Sequence, residues 1–204
     1  MNLSNSLLTL RSIRNYTEKK VHLEQIGDIL DTARYAPSSG NLQNWKFIIV
    51  RDSKKREEIC HACLAQYWMA LAPIYIVVCC EKDKVKQFYG KRAELFAIQN
   101  CAIVSHAIML KAHELGLGTC WVGMFEPKTV SRILNIPENV EPQVIITLGY
   151  PEKSKIDPGK PNRLDLDYLT FFEEFGLSKI DTTLWPIIKY TDKIKSWFKK
   201  NFRK

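Results

Sequence analysis

Arg11-Ser-Ile-Arg14 sets two guanidinium groups and a hydroxyl within four residues, and that combination of fixed charge and forked donors suits a phosphate. The same tetrapeptide also reads as a solvated helix end, where charge commonly gathers. Ala36-Pro-Ser-Ser-Gly-Asn-Leu-Gln-Asn-Trp45 is a row of small donors and acceptors ahead of a strand. It is either an ordinary polar turn or a loop able to hydrogen-bond the edge of a heterocycle, with Trp45 as its anchor. In Gly116-Leu-Gly-Thr-Cys-Trp-Val-Gly-Met-Phe125, glycines allow backbone to approach a planar ligand with no side chain between. A glycine helix stop followed by a core strand accounts for much of the same segment. Gly149-Tyr-Pro151 leads on to Lys160 and Arg163, an extended stretch with late positive charge.

Other chemistries find little support. Cys60-His-Ala-Cys63 has C-x-x-C spacing but lacks the following Pro or Gly, and no second pair completes a zinc set. All six cysteines fall in apolar segments and read as reduced core residues. His106 and His113 share a helix face with no carboxylate pattern to complete a metal site. G-x-G-x-x-G, G-x-x-x-x-G-K-[ST] and G-x-S-x-G are all missing from the sequence, which argues against Rossmann, P-loop and serine-hydrolase chemistry.

The elements that must position these residues follow from periodicity. Leu23, Ile26, Ile29, Leu30 and Ala33 keep helical spacing, and Pro37 stops that helix. Trp45–Val50 is β-rich, Asp52-Ser53 caps a helix running to about Leu64, and Ile74–Cys80 is a second strand. About Lys91 to Leu115 lacks proline and glycine and is apolar nearly all round after Glu94, which predicts a long central helix buried on most sides. Thr119–Met124 and Gln143–Leu148 read as further strands, with Pro127 in the first turn of a helix between them. The expected class is α+β: a mixed or antiparallel sheet of about four to five strands flanked by helices.

With 204 residues, 46% hydrophobic and 25% charged, the chain has the composition of one folded domain. No stretch approaches the roughly 20 uninterrupted apolar residues of a membrane span, and the start lacks a signal-peptide layout, so the cytoplasm is the expected compartment. The formal charge is +8, but seven bases and one acid between Pro186 and Lys204 put +6 of it there. A near-neutral remainder argues against nucleic-acid binding. Ile187, Tyr190, Ile194, Trp197 and Phe198 form one stripe of that tail with lysines opposite. A helix of this kind packs across a partner subunit or makes weak contact with an anionic membrane surface. The expected organisation is a domain over 1–175 and a basic amphipathic extension over 176–204.

Taken in order, R-S-I-R at 11–14, A-P-S-S-G-N-L-Q-N-W at 36–45, Gln66 ahead of Ala72-Pro73, Gln99-Asn100, G-L-G-T-C-W-V-G and G-Y-P make the chain resemble the nitroreductase family of FMN-dependent oxidoreductases up to about Phe175. The resemblance implies a homodimer with the long helix at its interface and FMN bound by residues of both subunits. Arg11, Ser12 and Arg14 match phosphate and pyrimidine contacts, with Arg163 and Lys160 closing on the phosphate. Pro37, Ser38, Ser39 and Asn41 match the loop that reaches the flavin of the other subunit. Gln66 matches an amide contact to the pyrimidine edge or ribityl chain, and Trp121, Val122, Gly123 and Met124 the strand end against the ring. Three positions depart from the family pattern. Leu10 replaces one arginine of a common doublet, Asn44 stands where proline is usual, and Met69 lies where some members place a lysine near the flavin. The implied activity is ping-pong: NAD(P)H reduces the flavin at N5, and a nitroaromatic, quinone or similar acceptor reoxidises it. No side-chain nucleophile and no metal are required. Phe88, Tyr89 and Phe96 are candidate pocket aromatics under a cover formed by 82–92, or else packing residues. Two other readings stay open: a flavin-binding or sensing protein without turnover, and a dehalogenase or flavin-processing member of the family. A redox role for Cys60 and Cys63 is a more remote third.

Overall fold

The computed structural model describes residues 2–152, 154, 161–171 and 173–176. The chain divides into two compact units, Met1–Ile156 and Asp157–Lys204.

The first unit is built on a four-stranded antiparallel sheet of β1 (Trp45–Val50), β2 (Ile74–Glu81), β3 (Gly118–Val122) and β4 (Val140–Gly149), in the order β1-β2-β4-β3. Its helices are α1 (Leu3–Thr9), α2 (Leu23–Ala33), α3 (Ser53–Ala62), α4 (Lys82–Tyr89), α5 (Ala93–Glu114) and α6 (Pro127–Leu134). β2 is buried along nearly its whole length because helices cover both faces of the sheet, which explains its unbroken apolar run. Alternate residues point to opposite faces. Ile74, Ile76, Val78 and Cys80 join Val144, Ile146 and Leu148 under α2 and α5, while Tyr75, Val77, Cys79 and Ile145 pack with α3 and α6.

Local signals end these elements where periodicity places them. Asp52 caps α3 by accepting from Lys55 N at 2.9 Å, and Pro127 opens α6, where its missing N–H costs nothing. The long helix differs from expectation in one respect. Within this chain α5 buries a single face, through Ala97, Asn100, Cys101, Val104, Ser105, Ile108 and Ala112, and leaves Leu95, Ile98 and Ile103 between 42% and 47% exposed. By length and composition 82–114 could also cross a membrane; here α5 lies on the sheet as a core element. The 82–92 stretch forms α4 and a 3₁₀ turn, with Val85 buried beneath it.

In the second unit the described residues include the short helix α7 (Leu166–Leu169) and a ring contact between Phe171 and Phe175 at 4.5 Å. Lys160 and the amphipathic stripe at 187–198 lie outside the described residues.

Candidate functional site

The segment 11–14 follows α1 as extended chain instead of ending a helix. Ser12 bridges Thr119 of β3 in parallel, and Ile13 N donates to Thr119 O at 2.8 Å. Extended backbone sends successive side chains to opposite sides, so the two arginines diverge. Arg11 and Ile13 face a cleft of about 220 Å³ that they share with Thr9, His113 and Gly116–Thr119. There Arg11 Nη1 donates to Leu8 O and Leu10 O, both at 2.9 Å, and closes the end of α1. Arg14 goes the other way, with its guanidinium 5.4 Å from the Trp68 ring centre. The Ser12 hydroxyl lies on that same side against Cys120, whose thiol is pushed up by burial and eased back by Arg14 and Ser12. Burial also pushes the neighbouring Tyr16 phenol up; its hydroxyl donates to Ile13 O at 2.6 Å and sits 2.7 Å from Thr147 Oγ1.

Gln66 is brought to the end of β3 by a turn in which Leu64 and Ala65 both adopt left-handed backbone, φ 54° and 53°. That conformation costs a non-glycine residue about 1–2 kcal/mol, and its effect is to swing the Gln66 carboxamide toward Met124. Gln66 Nε2 donates to Cys63 O at 3.0 Å and to Met124 O at 3.4 Å. Beyond β3, Gly123 has no side chain and offers bare backbone beside the Trp121 indole. Val122 is buried in the core, which leaves only its peptide groups for a ligand, whereas Trp121 and Met124 are 39% and 64% exposed. Ser12, Arg14, Gln66 and 121–124 therefore converge on one sheet edge.

The loop carrying Pro37, Ser38, Ser39 and Asn41 stands at the other edge. It enters β1 at Trp45, paired to Cys80, while Ser12 lies at the level of Thr119, paired to Leu148. Four strand spacings, counting the one from β3 out to Ser12, and six to seven residues of register separate Ser12 from the loop's entry into β1 by on the order of 25–30 Å. One chain does not bring them together. Within the loop Gly40, Asn41 and Gln43 are left-handed, with φ between 46° and 56°. Ser38 Oγ accepts from Gln43 N at 3.0 Å, and both Ser39 N and Ser39 Oγ donate to Asn100 Oδ1. Asn44 is fully buried, and its amide is bonded to Asn100 and to Cys80 Sγ.

Tyr89 and Phe96 pack edge to face at 4.9 Å against the core, and Phe88 is exposed. Met69 is wholly buried. Arg163 belongs to the second unit, where its Nη1 donates to Asn162 O at 3.1 Å. Sequence reasoning passed over Trp68, which supports Arg14, and Leu64 and Tyr67, exposed beside Gln66 at 70% and 66%. A tyrosine next to Gln66 was the available signal. All six cysteines are free and buried. Burial pushes the Cys63 thiol up to about 12 and raises Cys60 as well, which disfavours the thiolate that redox chemistry needs. No cluster of three or more metal-ligating side chains exists among the described residues.

A two-sided α+β subunit with an amide, an arginine and bare backbone gathered at a sheet edge is the kind of scaffold that holds a planar heterocycle. The model of the nitroreductase family matches residues 8–68 and 60–150, and the chain belongs to that family. It is 35% identical over 173 residues to a candidate NADH dehydrogenase/NAD(P)H nitroreductase of Methanothermobacter thermautotrophicus, covering 82% of this chain and 85% of that one. The crystal structure of a nitroreductase family protein from Clostridium difficile 630 superposes with a TM-score of 0.75 at 32% identity, covering 86% of this chain and 100% of the other. An FMN-dependent nitroreductase from Clostridium difficile R20291 gives 0.72 at 30% identity, with coverages of 85% and 100%.

Proposed function

We propose that the chain is an NAD(P)H-dependent FMN oxidoreductase that works as a homodimer. The observation that carries this reading is the convergence of Ser12, Arg14, Gln66 and residues 121–124 on the β3 edge. These groups fit a flavin: a carboxamide for the pyrimidine edge, a cation for the anionic reduced form, and side-chain-free backbone at Gly123 for the ring. When bound, FMN supplies the hydride acceptor and electron carrier that no side chain here provides. The protein's own part is to orient and to shield. Trp68 packs against Arg14, Gln66 is fixed by the Cys63 carbonyl, and Trp121 and Met124 present apolar surface against which the flavin would lie, so that a nicotinamide and then an acceptor would stack on the flavin in turn. Stacking selects on shape, which suits nitroaromatics and quinones.

The homodimer rests on two features. Leu95, Ile98 and Ile103 of α5, and Leu3, Leu7 and Leu8 of α1, which touches α5 through Thr9 and His113, are exposed, and large apolar side chains left open on packed helices suit an interface. A second copy there also supplies the 37–41 loop that one chain holds away from its own β3 edge.

The test is the absorbance spectrum of purified protein with added FMN, before and after anaerobic NADPH or NADH. Flavin bands that bleach and return with a quinone support the enzyme. Bound flavin that neither nucleotide bleaches supports a flavin-binding protein without turnover. No flavin bound from added FMN refutes both.

A further inference from the structure

The loop 38–44 holds three left-handed residues, two of them not glycine, and a conformation of that kind persists only when its surroundings over-determine it. Its interior anchor is a chain of amides. Ser39 N and Oγ donate to Asn100 Oδ1 at 2.9 and 3.1 Å, Asn100 Nδ2 donates to Asn44 Oδ1 at 2.7 Å, and Asn44 Nδ2 donates to Cys80 Sγ at 3.2 Å. Glu81 N closes the far end by donating to Asn44 O at 2.7 Å. Asn44 and Asn100 are 0% and 1% exposed.

The direction of every bond follows from one group. A peptide N–H can only donate, so Ser39 requires the carbonyl oxygen of Asn100 to face it. The Asn100 NH₂ then points at Asn44, the Asn44 oxygen must accept it, and the Asn44 NH₂ is left for the Cys80 sulfur. Neither amide can flip without leaving two buried groups unpaired, which low-dielectric surroundings make costly. The chain locks the loop to α5 and β2 together, and it does so with the residue that stands where the family usually has proline.

We propose that Asn100 and Asn44 are positioning residues for FMN, setting the shape of the loop that meets the flavin of the opposite subunit, a role that rests on the function proposed above. Ser39 serves the same lock. Both of its donors are spent on Asn100, so Pro37, Ser38 and Asn41 are the matched loop residues left to touch the cofactor.

The experiment is a double-mutant cycle on FMN affinity, read by quenching of flavin fluorescence on titrating apoprotein. Asn100→Ala weakens binding about ten-fold or more, and Ser39→Ala by a smaller factor. If Ser39 acts through Asn100, adding Ser39→Ala to Asn100→Ala changes affinity by less than about two-fold. Ile29→Val, a core change on the buried face of α2, lowers the melting temperature without altering FMN affinity and so separates positioning from loss of stability. Should Asn100→Ala not fold, Asn44→Ala opens the lock from its other end and enters the same cycle. Effects of Ser39→Ala and Asn100→Ala that multiply in full place Ser39 in direct contact with FMN and overturn the proposal. Unchanged affinity in Asn100→Ala overturns it as well, leaving the oxidoreductase reading intact; a wild-type chain that binds no FMN removes both.

Discussion

Adding one methyl group at Gly118 brings it against Ile13. A Cβ built there stands 2.9 Å from Ile13 Cβ, Cγ1 and Cγ2 alike, whereas carbon atoms in good contact lie about 3.5–4.0 Å apart. Rotating the isoleucine cannot relieve the overlap, because one of the three atoms is its Cβ. The backbone of 12–14 must therefore retreat by about 0.6–1 Å, stretching the 2.8 Å bond from Ile13 N to Thr119 O. Overpacking of this size costs about 1–3 kcal/mol. Ser12 and Arg14 ride on the same segment, so FMN affinity falls by about ten-fold, the equivalent of ~1.4 kcal/mol. Gly27→Ala is the matched control: its Cβ meets nothing within 4 Å, and it lies inside α2. There the same change stabilises by about 0.5–1 kcal/mol through helix propensity and a less flexible unfolded chain. Urea unfolding of both variants followed by FMN titration checks the pair. Gly118→Ala with wild-type stability and wild-type affinity would refute the claim that this close approach seats the 11–14 segment.

Leu64→Gly removes an exposed side chain and relieves a left-handed backbone, and it should raise stability to urea by about 0.5–1 kcal/mol; a loss of stability shows that the leucine side chain is needed there. Ile103→Glu on the exposed face of α5 should convert the proposed dimer to monomer in sedimentation velocity and release FMN, and an unchanged sedimentation coefficient rules that face out as the interface. His113 is bonded to Thr9 Oγ1 at 2.8 Å, and burial, then the Arg11 charge, lowers its pKa below the ordinary 6.5. Lys111, paired with Asp28 and Glu114, is two positions away on the same helix. With the folded value the lower one, the unfolded chain takes up a proton first, so stability is lost as pH falls from about 6.5 through the lowered value. His113→Gln should flatten that part of the stability profile, and an identical profile in the variant would assign the acid sensitivity elsewhere.

How much of this protein is legible in its sequence depends on the range of the interaction. The span of α2, the strand at 45–50, the Asp52 cap and the Pro127 start are written in nearest neighbours and in turn chemistry, and the structure places them there. The family pattern is equally linear: ordered motifs along the chain were enough to indicate the α+β fold and the flavin chemistry. The departure at Asn44 had no meaning at that level, because its partner Asn100 is 56 residues away and only folding makes them neighbours. The same holds for the tetrapeptide at 11–14. Its composition allows a phosphate cluster or a solvated helix end, and neither reading could say that a strand-like backbone sends Arg11 to one side and Arg14 to the other. A helix apolar nearly all round announces burial without saying by what, and only the packing of α5 on the sheet shows that Leu95, Ile98 and Ile103 are left for something else. Sequence determines which residues can form an element and which chemistry their types allow. Tertiary structure decides which side chains remain free to perform it, because hydrogen bonds and burial are settled between segments that local periodicity cannot see.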